Sequence, residues 1–177
     1  MKRSGWGRWL LLALVVAVVA HVSTVWLLPR VIMRIATNAM AAREGHNRAV
    51  FPPRADETAR TIVRPSPDLL YAGCAFDLAS GPVRLRAVVP KDTYWSLSMF
   101  GANTDNFFVV NDRVAQGGAV DLVLAPPGAK VALPAGATLV EAPSMRGIVL
   151  TRTLIASAAR LGELDEARRH FTCAPLS

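Results

Sequence analysis

The stretch Tyr94-Trp95-Ser96-Leu97-Ser98-Met99-Phe100 is followed by Gly101-Ala102-Asn103-Thr104-Asp105-Asn106 and then by Phe107-Phe108-Val109-Val110-Asn111. Trp95, Leu97 and Met99 alternate with Ser96 and Ser98, which is the period of two that a strand with one buried face requires. The middle segment is rich in Gly, Asn and Asp, which tolerate tight turns. The stretch therefore predicts a β-hairpin. Trp95 is the only tryptophan from Phe51 onward, which places the centre of a hydrophobic core on this hairpin.

Short strands separated by turn residues continue on both sides of the hairpin. Alternating apolar residues predict strands from about residue 70 to 78 and from 83 to 87. Further short strands are predicted at Ala119–Leu124, Ala129–Leu133, Thr138–Glu141 and Arg146–Ile155, and a short helix at Glu163–Phe171. We therefore predict a mostly β domain over residues 68–177, an antiparallel sandwich or barrel with a short C-terminal helix.

An apolar run without formal charge precedes this domain and extends from Trp9 to Leu28. As a helix it is long enough to cross about 30 Å of hydrocarbon. A basic flank, residues 1–8, precedes it, and tryptophans lie near both of its ends, as they do at membrane interfaces. A secretory signal peptide cleaved after Ala20 is the alternative. Because the apolar part of such signals spans only about 7–15 residues, the length favours an uncleaved signal-anchor.

Two further segments separate the apolar run from the β domain. Residues 29–48 predict an amphipathic juxtamembrane helix that is capped by Gly45. Its apolar stripe is formed by Val31, Ile32, Ile35, Ala36, Ala39 and Met40. The stripe can meet the lipid headgroups, the protein's own domain or another subunit, and we favour its own domain. Residues 49–67 carry four prolines and predict a Pro-rich linker, in which Thr58–Val63 forms a short strand or a turn of helix.

The net charge of +7 is unevenly distributed along the chain. Residues 1–48 hold seven Lys and Arg against one acid, whereas the rest holds thirteen basic against twelve acidic residues. The excess charge thus flanks the apolar run, which is typical of a membrane anchor and not of a phosphate-binding surface. We expect a lipid bilayer as partner and no nucleic acid.

The two cysteines, Cys74 and Cys173, lie far apart in the chain. In an oxidising compartment they can form a disulfide, which by the chain-entropy model would stabilise the fold by about 4–5 kcal/mol. The alternative is two buried free thiols. The sequence has no CxxC motif or Cys/His cluster and no nucleotide-binding fingerprint, so we predict neither a metal nor a cofactor.

Polar residues around the hairpin form the best candidate site: Asn103, Asp105, Asn106, Asn111 and Asp112. The two aspartates can act as acid and base, or bind a cation with the Asn carbonyls. The alternative is that all five serve turn geometry. Arg84 and Arg86 form either an anion site or a solvated strand face. The three histidines are widely spaced, with His21 inside the apolar run as a functional candidate or a contact to a partner helix, and His170 as a helix-capping or surface residue.

Several segments together resemble a known bacterial family: Asp68-Leu69-Leu70-Tyr71, residues 76–83, residues 94–100, Asn106-Phe107 and Asn111-Asp112-Arg113. The family is that of domain of unknown function 1254, and the chain is similar to its short, membrane-anchored branch, in which the span carries a His and a following Pro, here His21 and Pro29. Larger relatives tend to have an Asn-Arg-Asp-Thr-Leu-Tyr-like motif, of which Asp68 and Tyr71 remain here.

The resemblance implies a place in the cell and a partner, but no activity. It implies a single-pass protein of the bacterial inner (cytoplasmic) membrane whose β domain faces the periplasm, with a companion protein of the domain-of-unknown-function-1214 type. Our first hypothesis is a binding or partner-interaction module. The alternatives are an envelope hydrolase that uses Asp105, Asp112 or Tyr71, and a subunit of a membrane complex held through His21 and the span.

Overall fold

A computed structural model describes residues 6–60, 64–115 and 118–176. It begins with a long helix, α1, at Trp6–Glu44 and has a short helix, α2, at Leu161–Arg169. In the described residues the strands are β1 (Ala49–Val50), β2 (Leu69–Asp77), β3 (Val83–Val88), β4 (Trp95–Phe100), β5 (Asn106–Asn111), β6 (Ala119–Ala125), β7 (Thr138–Glu141), β8 (Arg146–Leu154) and β9 (Thr172–Pro175). The predicted mostly β fold with an N-terminal apolar helix and a short C-terminal helix is confirmed.

The strands form two sheets. Sheet A has the order β1-β2-β8-β4-β5 and is antiparallel throughout, whereas sheet B has the order β7-β6-β3-β9. In sheet B, β6 and β7 are parallel, which the purely antiparallel prediction did not include. Parallel neighbours need a crossover of about a dozen residues, and residues 126–137 supply it. The prediction of a strand at Ala129–Leu133 is wrong, because that segment lies inside the crossover and forms no strand.

The core lies between the sheets. Trp95, Leu97 and Met99 of β4 are buried in it, as their alternation predicts, opposite Val83 and Leu85 of β3. Ser96 and Ser98 are buried as well, although they lie on the other face of sheet A. β4 is an inner strand between β8 and β5, so side chains of both neighbours enclose these small residues.

α1 continues without a break from the apolar run onto the outer face of sheet A. Met33 and Thr37 are buried there, and the side chain of Met40 lies over Gly73 of β2. The juxtamembrane helix predicted at residues 29–48 is thus the second half of α1, and it ends at Glu44. Gly45 follows with φ of +93° and donates its N–H to the Ala41 carbonyl. The helix packs on its own domain, as we favoured.

The stripe that packs on sheet A is rotated from the predicted one. Ala36 and Met40 of the predicted stripe are half-buried, whereas Val31, Ile32 and Ile35 are exposed. Met33 and Thr37 take their place, because with Met40 they recur at spacings of four and three and so lie on one face of the helix.

The segment predicted as a Pro-rich linker starts with a strand. Ala49 and Val50 pair with Cys74 and Gly73 and add β1 to sheet A. Further along, the guanidinium Nε of Arg54 donates to the Pro67 carbonyl and closes the segment into a loop. The strand or helical turn predicted at Thr58–Val63 lies in part outside the described residues, as does most of the basic flank at residues 1–8.

A disulfide joins the two sheets through the core. Cys74 lies in β2 of sheet A and Cys173 in β9 of sheet B, with Cα atoms 6.4 Å apart. β9 itself was not predicted. It runs along β3, and the disulfide attaches β9 to β2 of sheet A.

Candidate functional site

The turn between β4 and β5 is tightly bonded internally. Thr104 has φ of +74°, the N–H of Gly101 donates to the Asp105 carbonyl over 2.9 Å, and the N–H of Asp105 donates to Asn103 Oδ1 over 3.3 Å. The Asn103 side-chain amide donates in turn to the Asp105 carboxylate. The N–H of Ala102 donates to Ser144 Oγ over 2.9 Å and fixes the turn to the neighbouring loop. Asn103 and Asp105 are therefore held in place before any ligand arrives.

Asn111 and Asp112 lie at the other end of β5. Asn111 Oδ1 accepts from the N–H groups of Arg113 and Val114 over 3.1 and 3.2 Å, which is the bonding of an Asx turn. Asp112 Oδ1 accepts from the N–H of Trp95 over 3.2 Å at the start of the hairpin. Both side chains thus stabilise backbone at this end of the strand.

The predicted polar cluster is divided by the strand that carries it. Asn106 to Asn111 spans about 17 Å at roughly 3.3–3.4 Å per residue, so Asp105 and Asp112 lie at opposite ends of sheet A. The structure does not bring these two carboxylates together as an acid and base. A hydrolase would therefore have to use Asp105, Asp112 or Tyr71 singly.

Tyr71 lies on the outer face of sheet A in a polar row across four strands. The register places Tyr71 beside Arg152, Arg152 beside Ser96, and Ser96 beside Asn111. The Tyr71 hydroxyl accepts from the N–H of Ser66 over 2.9 Å. The row joins Tyr71 and Asn111, which were predicted as site residues, with Arg152, which was not. The alternation of β8 places Arg152 on this face and could have indicated it.

Part of this outer face is left uncovered, because α1 packs on β1, β2 and β8. Tyr94, Val109 and Leu154 are 44%, 54% and 37% exposed there, and the Tyr94 hydroxyl donates to Ser96 Oγ over 2.9 Å. We call this surface the open face; it consists of Tyr71, Tyr94, Val109, Asn111, Arg152 and Leu154, together with the buried Ser96 to which Tyr94 is bonded. It combines aromatic and aliphatic surface with a cation, which is the composition of protein-binding surfaces.

A second feature lies where the β4–β5 turn meets α1. A cleft of about 480 Å³, here called the helix–turn cleft, is lined on the helix by His21, Val22, Val25, Trp26, Pro29 and Arg30, and on the turn by Asn103 and Asp105. The Arg30 guanidinium stacks 4.0 Å from the centroid of the Trp26 ring, and its Nη1 donates to the Trp26 carbonyl. The cleft has apolar walls and carries opposite charges on its two sides.

The outer face of sheet B carries Arg84 and Arg86. Arg84 binds Asp121 with two hydrogen bonds of 2.8 and 2.6 Å, and Arg86 reaches the same carboxylate over 3.2 Å. The hydrogen bonds from Arg84 hold the pKa of Asp121 below its ordinary value. The charge of Arg84 is therefore largely neutralised by Asp121.

His170 is exposed and is the C-terminal capping residue of α2. Among the described residues no group of three or more His, Cys, Asp or Glu is placed to hold a metal ion.

The end of α1 is attached to sheet A by a polar network that the sequence analysis missed. Asn47, with φ of +58°, bonds the backbone of Asp77 through both its amide atoms over 2.7 Å. The Asp77 carboxylate accepts from the N–H of Ala79 and from Nε of Arg146. Burial by itself would raise the pKa of Asp77, but these hydrogen bonds outweigh it and the pKa is lowered.

The family comparison covers the open face and the turn side of the helix–turn cleft, but it does not cover α1. Residues 45–175 match the model of a family described as protein of unknown function (DUF1254). The chain belongs to the DUF1254 family. The resemblance drawn from the sequence is thereby confirmed, and the DUF1254 match contains the whole sandwich, the disulfide and the open face, whereas α1 precedes it.

A solved structure shares the fold. The VPA0106 protein from Vibrio parahaemolyticus is similar with a TM-score of 0.66 at 14% identity over 88% of this chain. The chain spans 37% of that protein. An uncharacterised protein from Burkholderia cenocepacia matches 67% of this chain and 34% of its own at 19% identity, with a TM-score of 0.47. No curated protein matches the chain.

Proposed function

We propose that this DUF1254 protein is a single-pass protein of the bacterial inner membrane whose sandwich lies in the periplasm and acts as a binding module. The observation that carries the proposal is the division of α1 into two halves. One helix, long and apolar enough to span a membrane, leaves its most apolar part entirely exposed, yet packs its second half on sheet A. Exposed apolar surface of this extent needs a lipid surrounding.

The disulfide supports the periplasmic side. Disulfides persist in oxidising compartments and are rare in the cytosol. Cys74 and Cys173 are both buried and bonded in the core, so the sandwich is suited to an environment in which the bond forms. The N-terminus is then cytoplasmic.

The open face is the surface that we assign to a protein partner. Tyr94, Val109 and Leu154 provide apolar area around the cation of Arg152. We propose a companion membrane protein of the DUF1214 type.

Anchoring and sidedness are tested on membranes of cells that produce the intact chain. We expect the protein to stay in the membrane pellet after alkaline carbonate washing, and to be digested by protease added to spheroplasts. A protein released by carbonate would remove the anchor, and one protected in intact spheroplasts but digested after lysis would place the sandwich in the cytoplasm.

The partner surface is tested by photo-crosslinking in cells. A photoreactive residue at Val109 or Tyr94 is expected to capture a neighbouring protein, identified after purification. The matched control is Val88 on sheet B, which is similarly exposed at 40%. Equal capture from both sheets, or none from the open face, would contradict the assignment.

A further inference from the structure

We propose that the helix–turn cleft binds the headgroup of an amine-bearing phospholipid of the phosphatidylethanolamine class, with its acyl chains along α1. This proposal rests on the membrane anchor proposed above and adds a ligand to it. Three properties of the cleft support the proposal: its depth in the bilayer, the chemistry of its walls and the rigidity of its turn.

The cleft lies at the depth of the lipid headgroups. Its helix wall runs from His21 to Arg30 and so overlaps the end of the apolar run at Leu28. Trp26 stacked beneath the Arg30 guanidinium is the pairing expected at an interface, where an indole and a cation meet water and lipid together. The β4–β5 turn, at the same level of the helix, therefore reaches the headgroup layer.

The walls of the cleft complement a zwitterionic headgroup. Arg30 faces a lipid phosphate with a guanidinium, of whose five N–H donors one is bonded to the Trp26 carbonyl. Asp105 and Asn103 offer a carboxylate and an amide oxygen to a primary ammonium. Val22 and Val25 provide apolar wall for the acyl chains. A quaternary choline group has no N–H to donate, and an anionic glycerol headgroup has no cation for Asp105, so the amine-bearing class fits best.

The turn is pre-organised for this contact. The Gly101, Asp105 and Ala102 N–H groups are each hydrogen-bonded within the turn or to Ser144. A side chain on Gly101 would meet Asn103 Oδ1 at 3.2 Å, so the turn is closely packed as well. Little order has to be gained when a headgroup binds, which favours affinity.

The experiment uses the full chain in nanodiscs of two compositions, phosphatidylethanolamine with phosphatidylglycerol and phosphatidylcholine with the same phosphatidylglycerol. Native mass spectrometry then measures which lipids stay bound after the disc is removed. We expect the wild type to retain the ethanolamine lipid about tenfold better than the choline lipid, the size of one charge-assisted hydrogen bond.

Variants assign the retention to the cleft. Asp105→Asn is expected to reduce the preference to about onefold, since it removes the carboxylate that distinguishes an ammonium from a choline group. Arg30→Gln is expected to reduce the retention of both lipids alike, since the phosphate that Arg30 faces is common to them. Asp92→Asn and Arg34→Gln are the matched controls, because both residues are exposed and neither lines the cleft. Val25→Trp fills the cleft from an exposed helix position and is expected to abolish retention even if a turn variant misfolds.

Two kinds of result would overturn the proposal. One removes only the lipid site, and the other removes the membrane anchor as well. Equal retention of both lipids by the wild type, or an unchanged preference in Val25→Trp with the protein still in the bilayer, removes the lipid site and keeps the anchor. A protein that does not enter the nanodisc at all removes the anchor and the lipid site together.

Discussion

At the residue scale, Gly147 in β8 has no space for a side chain. A Cβ atom there would overlap the Phe100 carbonyl oxygen and would lie 2.6 Å from Cζ of Phe76. Both neighbours belong to the packed sheet, so neither can move freely. Close approach of backbone to backbone is what requires glycine at this position.

We expect Gly147→Ala to lower the free energy of unfolding by about 3 kcal/mol, at the upper end of overpacking effects. Gly162→Ala in α2 is the control, because a Cβ there meets nothing within 4 Å, and it is expected to raise stability by about 0.5–1 kcal/mol. Urea unfolding followed by circular dichroism measures both. A stable Gly147→Ala protein would mean that β4 and β8 lie further apart than described.

Asp77 gives the protein an acid-sensitive contact. Burial opposes its charge, but the hydrogen bonds from Ala79 and Arg146 outweigh burial and lower its pKa. A carboxylate with a lowered folded-state pKa contributes stability that is present above its unfolded pKa near 3.9, and this contribution is lost as the pH falls through the folded value.

We therefore expect Asp77→Asn to lower the free energy of unfolding at pH 7 by about 1–2 kcal/mol. The difference from wild type is expected to shrink below about pH 4. Glu57→Gln, at an exposed position, is the control and should leave the stability at every pH close to wild type. A constant difference between Asp77→Asn and wild type from pH 7 to pH 2 would contradict the ionic origin of the effect.

At the scale of elements, alternation predicted the strands that lie inside the sheets. β4 was located almost to the residue, because its inward positions Trp95, Leu97 and Met99 carry an uninterrupted apolar pattern. β8 was located as closely, although its inward positions include Thr151 and Thr153. β1 was missed because two residues are too few to show a period. β9 was missed because Ala174 and Pro175 are poor strand formers. The parallel pairing of β7 depends on the path of residues 126–137, which no local pattern encodes.

The packing of α1 on sheet A can be tested by replacing residues on the packed side and on the exposed side of the helix. Met33→Ala with Met40→Ala is expected to destabilise the docked helix by about 2–4 kcal/mol, since both side chains pack on the sheet. Ile32→Ala with Ile35→Ala is the matched pair on the exposed side and should have little effect. Hydrogen exchange of the Leu69–Asp77 strand in detergent micelles would report the difference. Equal loss of protection in both pairs would contradict the described helix orientation.

At the scale of the whole molecule, the disulfide closes the sandwich. We expect Cys74→Ala with Cys173→Ala to lower the free energy of unfolding by about 2–5 kcal/mol, because the released loop of 99 residues gains freedom when the chain unfolds. Reductant should destabilise the wild type and leave the double variant unchanged. An effect of reductant on both proteins would mean that it acts elsewhere.

The candidate site shows what sequence can and cannot supply at this scale. The residue types of the polar turns were predictable, and so was the length of β5 that separates Asp105 from Asp112. Sheet register was not, and it is register that places Tyr71, Arg152, Ser96 and Asn111 in one row. The helix–turn cleft joins residues about 80 positions apart, which only the docking of α1 brings together.

Four residues, Gly45 to Arg48, separate the end of α1 from the first strand, and Asn47 bonds them to the sheet. In the membrane-anchored protein proposed above, the sandwich therefore has no slack with which to tilt or to move away from the bilayer, and it stays at one height and in one orientation. A partner then has to arrive at that height, as another resident of the same membrane can do and a freely diffusing protein can do only in one orientation.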